Sequence, residues 1–65
     1  MQLTVNGDSL SVSMRTVSEL IRSLNLLPEA TAVQRNDEIV PRAAYSTTML
    51  EEGDVIELVR FVGGG

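Results

Sequence analysis

The sequence predicts an α+β fold, a mixed four- to five-stranded sheet packed on one helix. Three observations predict it. An alternating run at the start turns at Asn6-Gly7. A capped apolar stripe, Val17, Leu20, Ile21 and Leu24, follows at helical spacing, and the most β-prone run of the chain, Val55 to Val62, comes last. So apolar a closing strand belongs in the middle of the sheet. Laying it parallel to the first strand needs a long crossover, which the helix and the intervening strands supply.

Gln2-Leu3-Thr4-Val5-Asn6 alternates polar and apolar residues, the period of a half-buried strand, so Leu3 and Val5 face the core. Asn6-Gly7 predicts a type I′ hairpin turn, whose two central residues both need positive φ. Leu10 and Val12 continue the alternation on a returning strand over residues 9–13. Asp8-Ser9-Leu10 matches the tripeptide that carries phosphopantetheine on acyl carrier proteins. That chemistry needs a helix start, and here the serine follows a hairpin turn between strands, so the match is coincidence. Thr16-Val17-Ser18-Glu19 is a capping box, in which the threonine hydroxyl and the glutamate carboxylate each satisfy the other residue's free backbone N–H. The stripe behind it marks a helix that must lie on the sheet. Asn25 to Leu27 close this helix, and Pro28 bars its continuation.

Thr31 to Arg35 reads as the third strand, with Val33 its core residue. Asn36-Asp37 makes a turn, and Glu38-Ile39-Val40 a short strand ended by Pro41, which suits an edge. Residues 42–50 lack periodicity. Tyr45, Met49 and Leu50 are expected to tuck under the sheet, with one turn of 3₁₀ helix. Glu51-Glu52-Gly53-Asp54 turns the chain into the last strand. There Ile56 and Leu58 point at the helix, because Glu57 between them must face water. Val59 and Phe61 are in phase with Glu57 and so lie on the outer face. Together with Glu57, Arg60 and, from the neighbouring strand, Ala32 and Gln34, they form a candidate docking surface. Scattered surface apolar residues are the plainer alternative.

Three glycines follow, giving a domain over 1–62 and a flexible tail, Gly63-Gly64-Gly65, over 63–65. Glycine passes through narrow spaces and costs much entropy to order. By itself the tail reads as a thread ordered by a partner's channel or as a frayed end.

Composition removes several classes of function. The 65 residues suffice for one domain with a thin core. Without cysteine or histidine there are no disulfides, no thiolate chemistry and none of the usual zinc sites, and no metal site is expected. A net charge of −4 argues against a nucleic-acid surface. No stretch approaches the roughly 20 apolar residues of a membrane span, and Met1 leads straight into strand-like sequence, so a cytoplasmic protein without a membrane partner is expected. All five cations are arginines. With no lysine, an activated terminal carboxylate would meet no ε-amino group on another copy.

The element order is that of the ubiquitin-like β-grasp plan. The segments Arg35-Asn36-Asp37-Glu38-Ile39-Val40-Pro41-Arg42 and Leu50 to Val62 with the glycines, joined by Asn6-Gly7 and Thr16 to Leu20, resemble the ThiS family of sulfur carriers in thiamine biosynthesis. The likeness spans nearly the whole chain and is most specific at Val40-Pro41-Arg42 and Arg60 to Gly65. The chain departs from the family at Asp37, where glycine is more usual, and at Tyr45, where tryptophan is frequent. The resemblance implies a carrier that is acted upon and is no enzyme itself. An E1-like adenylating enzyme of ThiF type would activate the Gly65 carboxylate with ATP. A sulfur-donor protein bearing a persulfide would convert it to a thiocarboxylate, and a thiazole synthase of ThiG type would accept the sulfur. The carrier itself would bind no cofactor. A molybdopterin-type carrier, a ubiquitin-like modifier and a plain interaction module remain as alternatives.

Overall fold

The computed structural model describes residues 1–60; Phe61, Val62 and the glycine tail, with the expected boundary at 62/63, lie outside the described residues. Five strands form one mixed sheet: β1 (Gln2–Val5), β2 (Asp8–Ser11), β3 (Thr31–Arg35), β4 (Glu38–Val40) and β5 (Val55–Arg60), in the order β2-β1-β5-β3-β4. β5 sits at the centre, parallel to β1 and antiparallel to β3, and β4 is an edge as Pro41 suggested. One helix, α1 (Val17–Ser23), packs on the sheet, with short 3₁₀ turns at Pro28–Ala30 and Arg42–Ala44.

The local chemistry explains each boundary. Asn6 and Gly7 take φ of 50° and 86°, both positive as the two central residues of a type I′ turn require. The capping box forms in full: Thr16 Oγ1 accepts from the Glu19 amide at 3.1 Å, and Glu19 Oε1 accepts from the Thr16 and Arg15 amides at 3.1 and 2.8 Å. These two backbone bonds hold the Glu19 carboxyl below its usual range. At its far end α1 stops at Ser23, well before Pro28. Asn25 adopts φ 61°, its N–H bonds to Arg22 O, and the Leu26 N–H reaches back to Ile21 O. This is a Schellman closure with asparagine in the left-handed position.

The core is the space between α1 and one sheet face. Val17, Leu20, Ile21 and Ile56 are fully buried there, beside Leu3, Val33 and Leu58. Removing a side chain like Ile56 from such a core costs about 3 kcal/mol. Tyr45 is also buried, its hydroxyl donating to Thr31 O at 2.7 Å.

Three expectations need correcting. The returning strand runs over 8–11 rather than 9–13, with Val12 just beyond it, buried and bonded through its N–H to Met1 O. Leu24 does not complete the apolar stripe: it is the C-cap of a helix that Asn25 has already ended, and is exposed. Met49 does not tuck under the sheet with Tyr45 and Leu50, being 52% exposed. Residues 48–50 run extended against the start of α1, bonded through Val17 N to Thr48 O and Leu50 N to Arg15 O. Side chains therefore alternate, and burying Leu50 turns Met49 outward. Among the described residues no helix is long and apolar enough to cross a membrane.

Candidate functional site at the exit of the last strand

β5 is gripped from both sides by asparagines of the two hairpin turns. On the β1 side, Asn6 N donates to Ile56 O at 2.9 Å and Asn6 Oδ1 accepts the Leu58 amide at 2.8 Å. The side chain thus adds one rung to the ladder after β1 has turned away. On the β3 side, Asn36 N donates to Val55 O at 2.8 Å and Asn36 Oδ1 accepts the Val55 amide at 2.9 Å. Both asparagines sit at positive φ, so each serves as turn residue and clamp at once. The hairpin signals were visible in the sequence. The clamps were not, because nothing local says which strand lies beside the turn.

The entry to β5 is held further by Asp54, which is 5% exposed. Its carboxylate accepts from Arg35 Nε at 2.8 Å, Asn36 Nδ2 at 3.0 Å and the Glu51 amide at 2.8 Å. Arg35 also reaches Glu51 Oε2 at 3.4 Å. Burial pushes the Asp54 carboxyl upward, but the Glu51 amide, Asn36 and Arg35 together outweigh it and hold the group below its usual range. The hydrogen bond to Asp54 in turn raises Arg35.

The exit is built differently. Beyond Leu58 the strand keeps only its β3 neighbour, in the registers Ala32↔Val59 and Thr31↔Arg60. Ile56 and Leu58 point at α1 and are buried, whereas Glu57 and Val59 face outward, Val59 being 59% exposed. Gln34 stands opposite Glu57 and Ala32 opposite Val59, both half-buried. Four of the six residues expected to form the docking surface, Glu57, Val59, Ala32 and Gln34, therefore come together on one face. Two exposed apolar residues that the sequence reading missed share that face, Val55 and Ile39, the latter opposite Gln34 and 75% exposed. The same alternation that placed Val59 outward would have found Val55. Arg60, in phase with Leu58, lies apart from them: it lines a cavity on the helix side of the sheet with Asn25, Leu26, Leu27 and Ala30. Phe61, Gly63, Gly64 and Gly65 lie outside the described residues. Among the described residues no group of three metal-ligating side chains comes together.

A central strand that is anchored at its entry, open at its exit and packed on a single helix defines a small β-grasp domain of the ubiquitin-like kind. The ThiS family pattern matches residues 3–65. A sulfur carrier protein ThiS of Bacillus subtilis is 42% identical over 50 residues, 77% of this chain and 76% of that protein. The crystal structure of the thiamine biosynthesis protein ThiS from Geobacter metallireducens superposes with a TM-score of 0.83 at 36% identity, covering 100% of both chains. A thiazole synthase of Paramagnetospirillum magneticum is 42% identical over 67 residues, which is 100% of this chain but 20% of that protein. The chain thus spans about one fifth of the length of the thiazole synthase relatives that it matches. The chain belongs to the ThiS family.

Proposed function

We propose that the chain is a sulfur carrier for the thiazole ring of thiamine, a substrate of other enzymes and not a catalyst. The observation that carries the reading is the family match through Gly65, on a chain whose last described strand is central and leads into Gly63-Gly64-Gly65. The Gly65 carboxylate is a poor electrophile. An adenylating enzyme of ThiF type joins it to AMP, with pyrophosphate leaving from ATP. The outer sulfur of a donor protein's persulfide then attacks the acyl carbon and AMP departs. Cleavage of the resulting S–S bond by a thiol releases the thiocarboxylate. Glycine suits both steps, since a Cβ would crowd the carbonyl in the adenylation site and in an acceptor's channel.

Thiazole synthase of ThiG type is the proposed acceptor. Support comes from the Paramagnetospirillum protein, which bears the name thiazole synthase and includes a stretch similar to this whole chain. The outer face around Val59 is the docking surface, and the carrier binds no cofactor of its own: ATP and persulfide belong to its partners. All of these steps take place in the cytoplasm.

The test is direct. The chain is incubated with the adenylating enzyme, ATP and a persulfide donor, then weighed intact. Replacement of one oxygen by sulfur is expected, and an unchanged mass with enzymes shown to be competent overturns the reading. Deleting Gly65, or making Gly64→Trp, should abolish conversion and leave the thermal melt unchanged. A variant that unfolds instead would make the tail structural.

A further inference from the structure

The cavity beside Arg60 has no task in the account above. It measures about 220 Å³ and is lined by Asn25, Leu26, Leu27, Ala30 and Arg60. Since a cavity of roughly 150 Å³ holds a benzene ring, this one has room for a large side chain. Leu27 at its rim is 61% exposed, and Leu24 on the same turn is exposed too. Its wall is already fixed. Asn25 and Leu26 are bonded back to α1, while Leu27 O accepts from Ala30 N at 3.0 Å and from the Thr31 hydroxyl at 2.7 Å. The backbone of that wall therefore needs little ordering on arrival, which lowers the entropic cost of binding.

We propose that this cavity is a second docking point on the helix side of the strand exit, receiving an apolar side chain of the adenylating enzyme with an adjacent carboxylate paired to Arg60. The inference rests on the carrier reading and names where the partner's other wall must touch. Five residues separate Arg60 from the reactive end, so Gly65 cannot lie more than about 18 Å from Arg60 even when fully extended. An active site that close lies within reach of both flanks of the exit. One flank is the outer face at Val59; the other is this cavity. Charge fits as well: in a chain of net charge −4, Arg60 is a cation at the root of the tail, and among the described residues it makes no ion pair. A partner's carboxylate beside an apolar anchor meets both features.

The test measures binding of the full chain to the adenylating enzyme by calorimetry, alongside the thiocarboxylation assay. Leu27→Asp and Arg60→Glu should each weaken Kd about tenfold or more, the range of an interface anchor, with melting temperatures unchanged. Arg60→Glu should also reverse the loss of affinity that added salt causes in the parent. Arg15→Glu, the same charge change at the other end of α1, should bind like the parent. Both exit variants binding within about twofold of the parent (under ~0.5 kcal/mol), while the parent is converted normally, overturns the cavity assignment alone. A parent chain that is never converted overturns the carrier reading, and the inference with it.

Discussion

The two ends of β5 are opposites built on one strand. At the entry, Asp54 is buried and accepts three hydrogen bonds, and Asn36 closes the ladder at Val55. At the exit, β1 has already turned away, Val59 is largely exposed, and only β3 remains alongside. The difference separates two tasks. Polar groups at the entry are desolvated and must be satisfied, so they fix the strand's position and contribute stability. Groups at the exit are left in water, where changing them costs the fold little and a partner can reach them. Stability and function should therefore come apart along a strand of six residues.

The sharpest way to break this comparison is at Asp54. Asp54→Ala strands the Asn36 amide and the Glu51 N–H and leaves Arg35 only its longer contact with Glu51, and should cost about 3 kcal/mol. For a domain of this size that lowers the melting temperature by roughly 12–24 °C. Thiocarboxylation, assayed well below the new midpoint, should proceed at the parent rate. Acid probes the same group. Its pKa is depressed in the folded state, so its contribution is present above the unfolded value of about 3.9 and is lost as pH falls through the folded pKa. Denaturant titrations of the parent should lose stability below about pH 4, and Asp54→Asn should flatten that slope, leaving the part due to Glu19, which is shifted the same way. An unchanged slope would mean that Asp54 is not the anchor.

Next in size is Asn6. Asn6→Ala removes the acceptor of the Leu58 amide and puts a less suitable residue at φ 50°, so a loss of about 2 kcal/mol is expected from denaturant melts. Asn6→Gly restores the backbone freedom without the acceptor and should recover part of it. The size of that recovery divides the turn's share from the clamp's. At the exit, Val59→Glu should change stability by under about 0.5 kcal/mol yet weaken binding to the adenylating enzyme about tenfold. If the melt falls first, the exit belongs to the fold.

What was legible in the sequence follows this same division. Both hairpin turns, the capping box and the outward side of Glu57 and Val59 came from patterns spanning a few residues, the parallel central pair came from the order of the elements, and the structure has them all. What was missed depends on neighbours distant in sequence. Asp54 looked like an ordinary turn acid until Arg35 and Asn36 closed over it. Asn6 gave a turn signal, but its bond to Leu58 spans 52 residues. Met49 had no visible periodicity to place it. Its outward direction is set by pairing with Thr16. The cavity at Arg60 joins the helix closure, legible at Asn25 to Leu27, to the end of β5, a neighbour that only the fold supplies.

The smallest effect compares the two turns that grip β5. Asn6-Gly7 and Asn36-Asp37 have the same conformation, with Asn36 at φ 49° and Asp37 at φ 70°, but only the first has glycine in second place. A non-glycine residue in the left-handed region costs roughly 1–2 kcal/mol, less for aspartate, whose short side chain is tolerated there. Asp37 is exposed, and its carboxylate makes no hydrogen bond among the described residues. Asp37→Gly therefore removes strain without removing a contact. Glycine's greater freedom in the unfolded chain takes back roughly 0.5–1 kcal/mol of the gain. The net should be a stabilisation of about 0.5 kcal/mol, a rise in melting temperature of roughly 2–4 °C. Because Asn36 remains in place, its clamp on Val55 and the conversion rate should not change. A lower melting temperature would show that the Asp37 carboxylate supports the turn, and would make the two grips on β5 different in kind.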